Sequence, residues 1–387
     1  MVYRWQKIFA WMCLFLLATA IPAASETRNE NEAAPVKALR ALYAGNEELR
    51  NTIDQAFAAI QDKKNPWYKK DFQYLCRFFN EWFYLLPVNN SPTQDEFEYI
   101  KKFSWFYHRN EAGQRFVGRE PGLSWTRDFV AARGKFLDSK ESTGTVKQWL
   151  DDSSLNNDQY VVPPEGFQSF NEFFTRNLKP GARTVAAPDD DSVIVAPTDC
   201  MLNIIDPVTG ETNIPTKLNQ KLNVRELMAG SEYAKFFESG TAISCILLPD
   251  TYHHYHAVAT GDIVESREDI AGSYWGIDDL TDFLNRGNIG YGRSYSVFEH
   301  FRRGYFVIKT KEHGHVAMIP VGLDTIGSVV FENKYKKVTS DKPVPVRKGE
   351  KLGHFAYGGS LVITLTEKSI GGISVPQGQQ IGIFKRK

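Results

Sequence analysis

Tyr357-Gly358-Gly359-Ser360-Leu361-Val362-Ile363-Thr364-Leu365 is the stretch on which the fold and the chemistry of this chain turn. The two glycines permit positive φ or a close backbone approach, and a β-branched run begins directly after the serine, so Ser360 stands at a loop-to-strand edge. One reading is an ordinary tight turn entering a strand, since Gly-Gly-Ser is a common turn composition. The other is chemical. With a base and an oxyanion site converging there, the Ser360 hydroxyl attacks the carbonyl of Gly359, which has no side chain to obstruct the approach.

Outward from this stretch the chain is rich in strand signals. Short β-branched runs at Ser192–Ala196, Ala242–Leu248, Tyr305–Thr310, His315–Val321, Val329–Phe331 and Leu361–Leu365 are separated by Gly, Pro, Asn and Asp, which predicts a β-rich domain from residue 161 onward. Pro343–Gly353 reads as a hairpin leading to Ser360, and Ser169–Glu172 as a helix capping box. Residues 36–160 have helical spacing instead. Leu39, Leu42, Leu49, Ile53, Phe57 and Ile60 recur at intervals of three, four and seven, and further helices are predicted over Asp71–Phe83, Gln94–Tyr107 and Ser124–Ala132. Trp67, Trp82, Trp105, Trp125 and Trp149 belong to this region, either as its core or as rings reaching over a neighbouring site. The fold class is therefore α+β, a helical N-terminal domain followed by a β-rich one.

At the N-terminus, Arg4 and Lys7 precede an apolar run from Ile8 to Leu17 and small residues through Ala24. This is the order of a signal peptide over 1–24, with a polar linker at 25–35. It predicts export to a periplasm or the exterior, or membrane association through an uncleaved leader. Lys+Arg and Asp+Glu both number 46, so no global charge draws the chain to nucleic acid. Cys76, Cys200 and Cys245 follow the leader at a wide spacing that suits neither a metal site nor a disulfide framework, which leaves either three thiols or a single bridge in an oxidising compartment, with Cys200–Cys245 as the pair for it.

Two other stretches carry reactive residue types. Asp199 follows Pro197-Thr198 at a turn, where it either caps the turn or orients a base. Tyr252-His253-His254-Tyr255-His256 concentrates three histidines. No Cys or carboxylate completes a metal set around them, so no metal is expected, and general base is the stronger use of an imidazole that titrates near neutrality. His313 and His315 read as hairpin histidines.

These pieces occur in a recognisable order. Phe173-Phe174-Thr175-Arg176-Asn177-Leu178-Lys179-Pro180-Gly181-Ala182-Arg183, then Pro197-Thr198-Asp199, then Tyr252-His253 with His256, then Gly359-Ser360 before an apolar strand resemble the phosphatidylserine decarboxylase family from about Phe170 to Phe384. Upstream, Phe79-Asn80-Glu81-Trp82-Phe83 and Lys135–Ser139 are similar to the extension of a branch that includes fungal tryptophan decarboxylases. The resemblance implies a decarboxylase domain over 161–387 that cuts itself between Gly359 and Ser360. It also implies that Ser360 becomes a pyruvoyl cofactor, that Asp199 and His256 complete a triad with Ser360, and that His253 and Gly359 are auxiliary. The implied partners are an amino-acid or phospholipid substrate, the cleaved fragment 360–387 and a membrane surface. Phosphatidylserine is the first expected substrate, with a free, tryptophan-like amino acid as the alternative. An unprocessed, non-enzymatic binding protein is the second alternative. The sequence departs from the family pattern at Cys200 and Leu361, and Thr251 begins the histidine element, but every triad residue is present.

Overall fold

The computed structural model describes residues 32–88, 96–205, 224–247, 251–275, 301–323 and 328–374. The expected signal peptide over 1–24, most of the expected linker, and residues 375–387 lie outside them. The chain is α+β, with a helical unit up to Asn157 and a β-rich unit that begins at Asp158.

In the helical unit the apolar periodicity runs through a break. Helices α1 (Ala34–Gly45) and α2 (Glu47–Ala59) are separated by Asn46, whose extended backbone starts the second helix while its side chain accepts from Leu49 N. Helix α3 (Phe72–Tyr84) is capped in the same way by Asp71. Helices α4 (Glu96–Tyr107), α5 (Glu111–Gly118), α6 (Gly122–Leu137) and α7 (Val146–Asp151) follow. The aromatic residues are the core of this unit. The Phe79 ring lies 4.8 Å from Trp125 and 4.9 Å from Phe129, and the indoles of Trp67, Trp125 and Trp149 donate to the carbonyls of Lys102, Pro35 and Pro87. Each of these three indoles is thus buried with its N–H satisfied.

The β-rich unit opens with the short helix α8 (Phe170–Phe174). Ser169 Oγ accepts from Glu172 N, and the Glu172 carboxylate reaches back to Gln168 N, giving the capping box read from the sequence. The strands are β1 (Met201–Ile205), β2 (Thr241–Leu247), β3 (His254–His256), β4 (Gly261–Ile270), β5 (Arg303–Lys309), β6 (His315–Leu323), β7 (Val329–Phe331), β8 (Val344–Val346), β9 (Lys351–Phe355) and β10 (Gly359–Thr366). They form an antiparallel seven-stranded sheet in the order β1-β2-β10-β6-β5-β4-β8 and a three-stranded sheet in the order β3-β9-β7. Side chains of both sheets share one core, with Cys245, Leu247, Phe306, Met318 and Val362 from the larger and Tyr255, Phe331, Leu352 and Phe355 from the smaller.

β10 lies inside the larger sheet, with Ser360 opposite Leu247 on β2 and Gly322 on β6. Strand alternation places Ser360 on the same face as Val362, the face that looks into the shared core. The opposite face, carrying Leu361, Ile363 and Leu365, is buried too, which is why the strand reads as a continuous apolar run.

Two expectations are corrected, and the pairing of the cysteines, left open by the sequence, is answered. Pro343–Gly353 is not a hairpin: β8 pairs with β4 at the edge of the large sheet, where Pro345 is tolerated, while β9 crosses to the small sheet. Ser192–Ala196 is not a strand. Lys348 Nζ takes up the carbonyls of Asp190 and Val193, and Val195 N makes a single bond to Val258 O. Cys200 and Cys245 are free thiols rather than a disulfide, and the thiol of Cys200 together with burial pushes that of Cys245 well above its usual range.

Candidate active site

The Asp199 and histidine segments meet through their backbones. His256 N donates to Pro197 O at 2.8 Å, and Thr198 Oγ1 donates to Tyr252 O at 2.9 Å, so the turn carrying Asp199 lies along the segment carrying the histidines. Their side chains are nonetheless engaged elsewhere. The Asp199 carboxylate accepts two bonds from Arg183, Nε at 2.9 Å and Nη2 at 2.6 Å, a bidentate arrangement.

His256 has both ring nitrogens occupied. Nδ1 lies 2.8 Å from the Gly349 carbonyl, which can only accept, so Nδ1 carries the proton. Nε2 is then the lone-pair nitrogen and accepts from the Tyr252 hydroxyl at 2.9 Å. The orienting role expected of Asp199 therefore falls to a backbone carbonyl, in a turn where Gly349 has φ +81 and an added Cβ would strike Val185 at 2.3 Å. Burial lowers the His256 pKa below the ordinary imidazole value, while the Gly349 bond and the Asp199 charge act in the opposite direction. Burial also raises the Tyr252 hydroxyl, helped by the nearby Tyr160 and Asp199, so it stays protonated as a donor.

His253 is fully buried and differs in one atom. Its Nδ1 donates to Thr251 O at 2.8 Å, and its Nε2 lone pair has no hydrogen-bond partner. Burial drives its pKa down to about 3, so it is a neutral imidazole. Its ring lies 3.9 Å from that of Phe174, which in turn lies 4.9 Å from Tyr357, and Phe355 N donates to His253 O. His253 is thereby tied to the loop that enters β10. His254 turns away, with Nε2 donating to Thr175 O at 2.6 Å. His313 and His315 stand in the β5–β6 turn, where His315 Nδ1 pairs with Glu367 at 2.6 Å.

In the loop between β9 and β10, Gly358 has φ +145, a conformation open to glycine and costly for other residues. Ser360 follows with 2 % of its surface exposed and its Oγ without a partner. The hydroxyl is bonded to neither histidine. A buried hydroxyl and a buried imidazole nitrogen left unpaired each cost about 1–3 kcal/mol, and such costs concentrate at functional sites.

The structure thus brings Asp199 and His256 to one place, ties His253 to the Gly359–Ser360 loop, and leaves the Ser360 hydroxyl buried and unengaged. Sequence reading assigned no role to Tyr252, Gly349 or Asn171. The signal available for Tyr252 was its place beside His253, and that for Gly349 its place in a charged turn, whereas nothing local marks Asn171.

A family model described as phosphatidylserine decarboxylase matches residues 170–385. The chain is similar to the phosphatidylserine decarboxylase proenzyme of Fusobacterium nucleatum, 30% identical over 236 residues that cover 61% of this chain and 72% of that protein. It is also similar to phosphatidylserine decarboxylase proenzyme 2 of Oryza sativa subsp. japonica, 30% identical with 61% of this chain and 35% of the rice protein covered. The corresponding figures for proenzyme 3 of Schizosaccharomyces pombe are 31%, 63% and 23%. The match therefore spans most of the bacterial relative, about a third of the rice protein and about a quarter of the yeast protein.

Proposed function

Because the chain belongs to the phosphatidylserine decarboxylase family, a family of carboxy-lyases, we propose that it is a self-processing, pyruvoyl-dependent enzyme that converts phosphatidylserine to phosphatidylethanolamine. The observation that carries this reading is the buried, unpartnered Ser360 hydroxyl directly after Gly358 and Gly359. Ser244 Oγ on β2 and Thr364 Oγ1 on β10 are buried without partners as well, so it is the place of Ser360, directly after the two glycines and beside the loop that His253 touches, that sets its hydroxyl apart.

In this reading the chain performs its own first reaction. Ser360 Oγ attacks the Gly359 carbonyl carbon, the amide C–N bond breaks, and an ester joins Gly359 to the Ser360 side chain. Loss of the Ser360 α-proton with cleavage of the Cβ–Oγ bond then releases Gly359 as a carboxylate and leaves a dehydroalanine. Tautomerisation and addition of one water release ammonia and leave a pyruvoyl group at position 360. That group supplies the carbonyl that takes up the electrons freed when CO₂ departs. The positions fit such a group, since Ser360 is buried in a strand held on both sides.

His256 is the base for the Ser360 proton, through Nε2. Its lone pair is occupied by Tyr252 in the uncleaved chain, so Tyr252 gives it up before proton transfer. Asp199 supplies the negative charge that favours the imidazolium formed. His253 keeps a neutral lone pair beside the same loop. The leader-like N-terminal run supports export, with phosphatidylserine met at a membrane face. Fractionation of cells making the full chain tests that part.

The test of the substrate is CO₂ release from phosphatidylserine vesicles compared with a panel of free amino acids. Release from the vesicles is expected. Release from tryptophan or its relatives and not from the vesicles transfers the assignment to a free amino acid. The helical unit up to Asn157, which precedes the family match, would then be the region to search for its recognition.

A further inference from the structure

The Phe-Phe-Thr-Arg run and its flanks have no part in the chemistry above, yet they touch every segment that does. Asn171, in α8, accepts from Tyr357 N at 3.1 Å. Phe170 and Phe174 hold the Tyr357 ring between them, with centroids 5.1 and 4.9 Å away. Thr175 O, at the end of α8, accepts from His254 Nε2 at 2.6 Å. Arg183, past the Pro180-Gly181 turn, holds both oxygens of Asp199. Three consecutive parts of one segment thus grip the loop before Ser360, the histidine strand and the Asp199 turn.

We propose that Phe170–Arg183 is a positioning strap for self-processing, with Asn171 and Arg183 as its two positioning residues. The inference rests on the self-processing reading. Its physical basis is the loop between β9 and β10, which consists of Ala356, Tyr357 and Gly358. Gly358 confers freedom rather than direction, so the placement of the Gly359 carbonyl against Ser360 Oγ depends on Tyr357. Tyr357 is fixed at its amide by Asn171 and at its ring by Phe170 and Phe174. Arg183 performs the corresponding service for Asp199, because a planar guanidinium donating two bonds sets the plane of a carboxylate as well as its location.

The test follows appearance of the C-terminal fragment by intact mass during cell-free synthesis of the full chain, with cooperative thermal melting as the check on folding. Misplacing a reacting group by about 1 Å costs on the order of a hundred-fold in rate, so Asn171→Ala and Arg183→Ala are expected to slow cleavage by about ten- to a hundred-fold. Asn171→Asp keeps the accepting oxygen and recovers most of the loss. Arg183→Lys keeps the charge without the fork and falls between wild type and Arg183→Ala. That graded recovery separates a positioning role from a merely structural one. Folded Asn171→Ala and Arg183→Ala proteins that cleave at the wild-type rate overturn the strap alone, as does an Asn171→Asp protein no faster than Asn171→Ala. Should the alanine variants fail to fold, Arg183→Lys decides, and a wild-type rate in it overturns the bidentate role. A folded wild type that never cleaves overturns the self-processing reading, and the strap's role in processing falls with it.

Discussion

The indoles and Arg133 of the helical core, and the atoms bordering the loop before β10 in the β-rich unit, treat burial in opposite ways. In the helices the indoles of Trp67, Trp125 and Trp149 each donate to a backbone carbonyl, and Arg133 is buried with its guanidinium on the carbonyls of Trp82, Phe83 and Leu85 at the end of α3. On either side of that loop, a hydroxyl at Ser360 in β10 and a lone pair at His253 are buried unpaired. Satisfied burial fixes a structure and nothing more. Ser244 Oγ, Thr364 Oγ1 and His254 Nδ1 are buried unpaired too; Ser360 and His253 differ from them in bringing a donor and an acceptor to the borders of one loop, where both stay available for a reaction.

The largest effects that sharpen this contrast are expected at the base. His256→Ala should slow appearance of the C-terminal fragment by roughly 10²–10⁴-fold, the range attributed to a positioned general base, and Asp199→Asn, which removes only a charge that favours the imidazolium, should slow it less. Processing unchanged in folded His256→Ala would shift the role of base to His253. In the helical unit the corresponding change acts on stability: Phe79→Ala should cost about 3–5 kcal/mol in urea unfolding, because it opens a cavity among Trp82, Trp125 and Phe129. A cost below about 1 kcal/mol would mean that the core collapses around the loss.

A smaller effect follows from protonation. His253 and His254 both have folded pKa values lowered to about 3 by burial, against 6.5 for the unexposed-to-burial imidazole of an unfolded chain. The unfolded state therefore binds more protons between those values, and the stability from neutral burial, complete above 6.5, is lost as pH falls toward 3. Each histidine contributes a slope of about 1.4 kcal/mol per pH unit inside that window. His253→Gln should flatten the slope measured by urea unfolding at successive pH values, and an unchanged slope would refute the assignment to His253. The smallest effect is at Tyr252. Tyr252→Phe removes the hydroxyl that occupies His256 Nε2, and with a hydrogen bond worth about 1 kcal/mol processing should quicken about five-fold. Slower processing would make Tyr252 a relay rather than an occupant.

How far the sequence revealed all this depended on the distance over which each feature is encoded. Helix α3 follows from the spacing of its own apolar residues, the α8 capping box from Ser169 and Glu172 three positions apart, and β10 from its own β-branched run. The site's partners have no such local signature. His256 and the carbonyl of Gly349 are 93 positions apart, and Asn171 and Tyr357 are 186 apart. The path of β9 was misread for the same reason. Pro343–Gly353 has the turn composition of a hairpin, and only the pairing of Lys351–Phe355 with β3 and β7 reveals that the two strands separate. Ser360 stood out through its glycines and its strand, but its lack of a hydrogen bond is a property of the packed core.

The central claim is that Ser360 is consumed to make the cofactor, and intact mass of the folded wild-type protein beside Ser360→Ala tests it most directly. The account predicts two chains from the wild type, parted between Gly359 and Ser360, with the fragment from position 360 lacking an ordinary amino terminus, and one uncut chain from Ser360→Ala. A folded wild type that remains a single chain, with an unmodified serine at position 360, would contradict it.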